Sequence, residues 1–189
     1  YSFSIKNDDI SSFLLYSKFD DGHTCSTPTL NEEDVKARFL VAINSLIKDR
    51  VALIEDLRIM QKALTSCKEI DAQIDEYTTD MEMLTDAIRR HISNNATTAM
   101  DQEEYETKYN SLARRFDYAK KRYDELVRQK AERENKAIMI GGFMFEMMER
   151  DQPLKEFDDH LWLVAIDHVT AYHDGRLVFR FKSGLEVTA

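Results

Sequence analysis

The long stretch of this chain that contains neither glycine nor proline limits its possible folds more than any other feature. All five glycines and both prolines of the 189 residues lie outside the range 30–140. That range is rich in Glu, Lys, Arg, Leu and Ala, which favour helix, and it lacks the two strongest helix breakers. The sequence therefore predicts a chain that is helical over most of its length, with a compact part built from its two ends.

Apolar residues within this range follow heptad spacing in two successive runs. The first run extends from Leu53 to Ile88 with one shortened step between Cys67 and Ile70, which predicts local overwinding of a coil. The second run, from Tyr105 to Leu126, has no slip. Because residues three and four apart share a helix face, each run predicts a coiled-coil seam, made of core residues rather than a cofactor site. The seam residues are Leu53, Leu57, Met60, Leu64, Ile74, Met81, Leu84, Tyr109, Leu112, Phe116, Tyr123 and Leu126.

A polar segment, residues 91–104, separates the two runs and is rich in Asn and Thr, which favour turns and caps. Two seams of similar length joined by one turn fold back most simply as an antiparallel helical hairpin. We therefore predict that residues 53–134 form a coiled-coil arm with its tip at about 91–104. The candidate interaction residues at this tip are Ile92, Ser93, Asn94, Asn95 and Met100.

The two ends of the chain are typical of a small mixed body. Asn31 is a predicted N-cap, so residues 31–52 are expected to form a helix that joins this body to the arm. Near the C-terminus, a capped amphipathic helix is predicted with one stripe of Phe157, Leu161, Val164 and His168. The alternating residues on either side of Asp174-Gly175 predict a β-hairpin, followed by a third short strand at Leu185 and Val187.

The predicted fold class is mainly α with a small β part (α+β). A long antiparallel coiled-coil hairpin is expected to project from a small mixed α/β body that both chain ends build. The predicted domains are residues 1–30, 31–52, 53–134 and 135–189, the last packing back on the body.

Charge and composition exclude several classes of function. A net charge of -9 argues against a surface that binds nucleic acid throughout. A local basic face remains, which is either solvated or contacts phosphate; it contains Arg114, Arg115, Lys120, Lys121 and Arg122. The most apolar run, residues 137–145, is too short to cross a bilayer, so no membrane contact is expected. Two distant cysteines favour a reducing, cytoplasmic setting.

No motif predicts a catalytic residue in this chain. It contains no Gly-rich phosphate loop, no HExxH motif and no nucleophile beside a base at a known spacing. Turn and cap roles account for His160, His168 and His173. His23 and Cys25 resemble half of a zinc site, but structural zinc needs four ligands and the only other cysteine is Cys67.

The two ends of the sequence resemble the C-terminal half of the large serine recombinases, the phage integrases and transposases. The segment "CSTPTLNEEDVKARF" precedes the predicted hairpin, and "FDDHLWLVAIDHVTAYHDGRLVFRFKSGLEV" follows it. In that family a zinc ribbon carries an inserted coiled-coil hairpin. The resemblance makes residues 1–30 a zinc-ribbon remnant and places Cys25 at the last zinc-ligand position. Near Leu15, where the family has another cysteine, this chain has none, so a bound zinc ion is not expected.

The resemblance implies a role in the control of DNA recombination. The family's nucleophilic serine lies in an upstream catalytic domain, and since this chain begins at Tyr1 we expect a non-catalytic fragment. Its expected partners are other recombinase subunits through the coiled coil, attachment-site DNA in the parent protein, and a recombination directionality factor.

Two other interpretations remain open from the residues. A stand-alone coiled-coil adaptor or spacer without a DNA role would carry the same seams. A small metalloenzyme would use His23, Cys25 and a C-terminal histidine, and would require stoichiometric metal.

Overall fold

The computed structural model describes residues 2–6, 31–97 and 101–189. It confirms the predicted fold class. The chain is mainly helical with one small antiparallel sheet. The helices are α1 (Glu32–Lys48), α2 (Arg50–Thr65), α3 (Lys68–Thr97), α4 (Gln102–Met148) and α5 (Asp159–Ala165). The strands are β1 (Ser2–Lys6), β2 (Ile166–Tyr172), β3 (Leu177–Phe181) and β4 (Glu186–Thr188).

These elements form two compact units. Unit 1 contains Tyr1–Leu64 and Asn135–Ala189, and unit 2 contains Thr65–Glu134. Helix α4 contributes residues to both units. The predicted zinc-ribbon remnant lies outside the described residues, except for the backbone of β1.

Helix α1 begins where the sequence predicted. The Asn31 side chain accepts a hydrogen bond from the Asp34 amide at 2.7 Å, which satisfies a free N–H of the first turn. The predicted single helix over 31–52 is wrong, because α1 ends at Lys48 and α2 starts at Arg50. Asp49 leaves the helical conformation, with φ -102° and ψ 20°, and its amide donates to the Ile47 carbonyl oxygen. Asp disfavours a helix interior because its side chain competes for backbone hydrogen bonds. At the start of α2, the Arg50 side chain donates a hydrogen bond to the carbonyl oxygen of Arg150 at 2.6 Å.

The sheet has the order β1-β2-β3-β4, with every pair antiparallel. The predicted hairpin and third strand are confirmed. Gly175 and Gly184 close the two loops with positive φ angles of 85° and 94°, which residues with a Cβ adopt at a cost. Strand β1 pairs with β2 from Ser2 opposite Tyr172 to Lys6 opposite His168, and this pairing was not predicted from the sequence.

Aromatic side chains connect the helices of unit 1 to the sheet. The Phe39 ring of α1 is fully buried, and its centroid lies 5.1 Å from that of Trp162 and 6.1 Å from that of Phe179. From α4, the Phe143 ring lies 5.3 Å from the Phe181 ring. The core of unit 1 therefore lies between β3 and three helices.

The C-terminal amphipathic helix is shorter than predicted. Asp158 caps it by accepting the Leu161 amide at 2.9 Å, but the helix ends at Ala165. His168, which the sequence placed on the helical stripe, lies in β2. The run from Ile166 to Thr170 contains three β-branched residues, which favour a strand when a sheet edge is available for pairing.

The predicted coiled-coil arm, residues 53–134, is longer than unit 2, which begins at Thr65. Leu53, Leu57, Met60 and Leu64 belong to α2 in unit 1 rather than to a coiled-coil hairpin starting at residue 53. Leu53 and Leu57 are buried in the unit 1 core, Leu64 packs against it, and Met60 is 37% exposed. Heptad spacing alone does not distinguish a coiled-coil seam from a helix that packs on a core, because any amphipathic helix on a core shows steps of three and four.

Candidate interaction site in the helical hairpin

Unit 2 is a helical hairpin, formed by α3 and the part of α4 up to Glu134, and its helices are antiparallel. At the open end, the Lys130 ammonium lies 2.7 Å from an Asp71 carboxylate oxygen. This ion pair raises the pKa of Lys130, chiefly through its hydrogen bond to Asp71. At the closed end, His91 contacts Tyr105. Early α3 thus contacts late α4, and late α3 contacts early α4. The two helices therefore run in opposite directions.

The seam residues of unit 2 lie on the least exposed face of each helix. Leu84, Ala119 and Leu126 are buried, with 8%, 3% and 4% of their surface exposed. The other residues of the two heptad runs in α3 and α4, except Tyr109, are half-buried; they are Ile70, Ile74, Tyr77, Met81, Ile88, Tyr105, Leu112, Phe116 and Tyr123. Tyr109 is 37% exposed. A two-helix hairpin encloses its seam from one side only, which accounts for the intermediate burial.

The predicted overwinding between Cys67 and Ile70 is wrong, because the chain leaves the helix there. Helix α2 ends at Thr65 and α3 begins at Lys68. The Cys67 amide donates to the Thr65 carbonyl oxygen at 3.0 Å, and the Cys67 carbonyl accepts the Asp71 amide at 2.8 Å. Ser and Thr side chains compete with the backbone for hydrogen bonds, so the pair Thr65-Ser66 favours a break over continued helix. The helix break also separates the two units.

The tip is shorter than the predicted segment 91–104. Helix α3 continues to Thr97, and Asp101 caps α4 by accepting the Glu104 amide at 3.0 Å. Ile92, Ser93, Asn94 and Asn95 are therefore helical rather than in a turn. Met100 lies outside the described residues.

The closed end of the hairpin has a buried side and an exposed side. His91 is only 5% exposed; its ring lies parallel to the Tyr105 ring at a centroid distance of 4.7 Å. Its Nε2 lies 3.0 Å from the Tyr105 carbonyl oxygen. On the other side, Ile92 is 47% exposed, and Ser93 and Asn94 are exposed beside it. The C-terminal end of α3 thus presents a small surface on which Ile92 is apolar and its neighbours Ser93 and Asn94 are polar.

The basic face of α4 is only partly neutralised. Lys120 pairs with Asp124 at 2.7 Å, and Arg122 with Glu125 at 2.7 Å. A hydrogen bond to Asp124 raises the pKa of Lys120, and a hydrogen bond to Tyr77 raises that of Arg122. Among the described residues, no acidic side chain forms an ion pair with the other three predicted basic residues, which are Arg114, Arg115 and Lys121.

Arg114 and Arg115 line a shallow groove of about 250 Å³ between the helices of unit 2. Tyr77 and Asp80 border it from α3, and Tyr118 borders it from α4. Free guanidinium groups beside aromatic rings suit contact with an anionic group.

The candidate metal ligands do not form a site within the described residues. His23 and Cys25 lie outside them. No group of three or more His, Cys, Asp or Glu side chains able to hold a metal ion occurs in the ranges 31–97 and 101–189. His168 lies 2.9 Å from Asp167, its own chain neighbour, and His160 lies 3.7 Å from Glu146.

A polar cluster in unit 1 was not predicted from the sequence. The Arg150 guanidinium contacts Glu146 and lies 2.7 Å from Asp158, so it ties the end of α4 to the cap of α5. The Leu161 amide and then Arg150 hold the pKa of Asp158 below its usual value. Glu146 and Arg150 are four residues apart at the end of an apolar helical run, and this spacing of opposite charges was an available signal. Since every member has a partner within the cluster, its role is to hold these elements together.

No protein-family model, curated protein or solved structure matches this chain significantly. Within the described residues, no helix is both long enough and apolar enough to cross a membrane.

Proposed function

We propose that this chain is the C-terminal DNA-binding and subunit-interaction region of a large serine recombinase, and that its helical hairpin mediates synapsis and directionality control. The observation that carries the proposal is the closed end of unit 2. There the buried contact between His91 and Tyr105 fixes one side, while Ile92 and its polar neighbours are exposed on the other.

The size of this surface suits a reversible contact. Stable protein interfaces bury more than about 1,000 Å² in total, and one helical turn at the tip supplies less than that. A contact between the tips of two hairpins would therefore be weak alone, and would hold two DNA-bound dimers together only when both are correctly placed. A directionality factor that covers or redirects the tip would then change which attachment sites pair.

The chain contributes no catalytic residue under this proposal. The nucleophilic serine and the cleavage chemistry belong to an upstream domain, in the cytoplasm where the DNA substrate is found. The parent protein binds attachment-site DNA, and Arg114 and Arg115 are further candidates for phosphate contact.

The gene sequence provides the first test. A resolvase-like catalytic domain should be encoded upstream of Tyr1. An upstream sequence that encodes no such domain would refute the proposal and favour an adaptor or spacer.

The second test is synapsis by the full-length recombinase carrying Ile92→Lys. We expect this change to abolish the pairing of attachment sites in a gel-shift assay, because a charge replaces the apolar centre of the tip. Binding of each single site should be unchanged. The matched control is Val127→Lys, which alters a residue 40% exposed on α4 of the same unit and far from the tip in sequence. Normal synapsis by the Ile92 variant would contradict the role assigned to the tip.

A further inference from the structure

Two adjacent glycines in α4 differ in what surrounds them. A Cβ atom on Gly141 would lie 2.7 Å from Nε2 of Gln61, whose amide donates to the Ala137 carbonyl oxygen at 3.0 Å. Packing within unit 1 therefore accounts for Gly141. A Cβ on Gly142 would meet only Val164, at 4.0 Å, among the described residues. Glycine inside a helix costs about 1 kcal/mol relative to alanine. Nothing in the described part of the chain explains that cost at Gly142.

Large apolar side chains flank Gly142 on the exposed face of the same helix. Ile138, four residues before it, is 71% exposed, and Phe145, three residues after it, is 60% exposed. Residues at these spacings are neighbours on one helix face. An exposed glycine between exposed Ile and Phe side chains is the arrangement that lets a second backbone approach closely while its flanks gain apolar contacts.

This face is complementary to itself. If two copies of α4 cross antiparallel with Gly142 at the two-fold axis, Ile138 of each copy lies opposite Phe145 of the other. Each glycine then faces the other glycine, where the backbones come closest. A two-fold interface requires one patch that fits its own copy, and the order Ile138, Gly142, Phe145 meets this requirement in the antiparallel arrangement.

Charge also favours a second copy over a charged partner. The run from Ala137 to Phe145 has no charged residue, although 32% of the whole chain is charged. Two copies of a protein with net charge -9 repel each other over most of their surface, so an uncharged face is the one that they can bring together.

We propose that the exposed face of α4 formed by Ile138, Gly142 and Phe145, the Gly142 face, pairs with the Gly142 face of a second copy to form an antiparallel dimer. This contact is made by unit 1 and does not depend on the tip of the hairpin or on the proposed function.

Sedimentation velocity of the full chain over a range of concentrations tests the dimer. We expect a reversible dimer whose dissociation constant rises by about tenfold or more in Phe145→Glu and in Gly142→Leu, since both remove the close apolar contact. Met83→Glu is the matched control, because Met83 is 58% exposed but lies on α3 in unit 2. Ile92→Lys separates the Gly142 face from the tip, and should leave the dimer intact. Circular dichroism verifies that each variant is folded. A monomer at all concentrations, or equal dimerisation by the wild type and both face variants, would overturn the proposal.

Disulfide trapping tests the direction of the pairing, in a chain whose own Cys25 and Cys67 are replaced by serine and alanine. Gly142→Cys should form a disulfide-linked dimer under mild oxidation, because bridged Cα atoms must lie within about 7 Å. A mixture of Ile138→Cys and Phe145→Cys chains should link to each other, and Phe145→Cys alone should not. Efficient linkage of Phe145→Cys alone would mean parallel pairing and would overturn the antiparallel geometry.

Discussion

The His91 ring of α3 lies against the Tyr105 ring of α4, with an interplanar angle of 13°, while its Nε2 donates a hydrogen bond to the Tyr105 carbonyl oxygen. A carbonyl oxygen only accepts, so Nε2 carries the proton. One side chain therefore joins the two helices by both a ring contact and a hydrogen bond. This pair fixes how the C-terminal end of α3, which carries Ile92, meets the first turn of α4.

Replacement of His91 should weaken the hairpin in two steps. His91→Phe keeps the ring contact but loses the hydrogen bond, for which we expect a cost of about 1 kcal/mol in the free energy of unfolding. His91→Ala loses both, with an expected cost of about 2 kcal/mol. Urea unfolding monitored by circular dichroism measures these differences. Ser93→Ala, at an exposed position two residues away, is the control and should change stability by less than about 0.5 kcal/mol. Equal stability of all three variants would show that the pair adds nothing.

The sequence predicted the elements whose signals are local. The Asn31 cap and the hairpin at Asp174-Gly175 each depend on a few adjacent residues, and both are present. A side chain that caps a helix, or a glycine that adopts positive φ, acts in the same way in almost any tertiary setting. These features were therefore readable without knowledge of the fold.

The errors arose where tertiary packing decides between alternatives. The steps of three and four in α2 were assigned to the coiled coil, but Leu53 and Leu57 pack into the core of unit 1. A helical period identifies the apolar face and does not identify what covers it. In the same way, His168 continued a helical stripe, yet pairing with β1 and β3 makes it part of a strand.

The candidate site was predictable in outline only. The sequence placed Ile92, Asn94 and Asn95 near the end of the hairpin, where the structure also has them, but it assigned them to a turn. It gave no signal for the buried contact of His91, because stacking on Tyr105 depends on the register between two helices. Register is a property of the folded pair and is absent from either segment alone.

The ion pair at the cap of α5 predicts how stability depends on pH. The pKa of Asp158 is lowered in the folded chain, first by the Leu161 amide and then by Arg150. Its carboxylate therefore stabilises the fold fully above its unfolded pKa of about 4, and this contribution is lost as the pH falls through the folded pKa. Asp158→Asn keeps a capping oxygen but loses the charge, whereas Asp158→Ala loses both, at a cost of about 1–2 kcal/mol near pH 7.

Unfolding in urea between pH 7 and pH 3 checks this assignment. The stability difference between the wild type and Asp158→Asn should narrow toward the acid end, because protonation removes the same charge. Asp151→Asn, at an exposed position on the same connection, is the control and should show no such narrowing. A difference that stays constant over the whole range would mean that the charge of Asp158 is not involved.

The core of unit 1 should depend strongly on Phe39. Its ring is fully buried and lies 5.5 Å from the Phe157 ring as well as close to Trp162 and Phe179. Phe39→Ala would leave a cavity among these rings, for which we expect a loss of about 3–5 kcal/mol. Val41→Ala, two residues away but 65% exposed, should cost less than about 0.5 kcal/mol. Thermal unfolding by calorimetry measures both, and a mild effect of Phe39→Ala would show that unit 1 repacks easily.

The two glycines of α4 should respond in opposite ways to the same substitution. Gly142→Ala adds a methyl group that meets only Val164 at ordinary van der Waals distance, so helix propensity should stabilise the monomer by about 0.5–1 kcal/mol. Gly141→Ala must displace the Gln61 amide and its hydrogen bond to Ala137, which offsets the same gain by about 1 kcal/mol. Urea unfolding at concentrations where the chain is monomeric compares the two.

The double variant Gln61→Ala with Gly141→Ala separates helix propensity from the displaced amide. Gly141→Ala should stabilise the chain once the Gln61 amide is gone. If Gly141→Ala stabilised the otherwise unchanged chain as much as Gly142→Ala, the distinction between the two glycines would fail, and with it the reason for assigning Gly142 to a contact outside the chain.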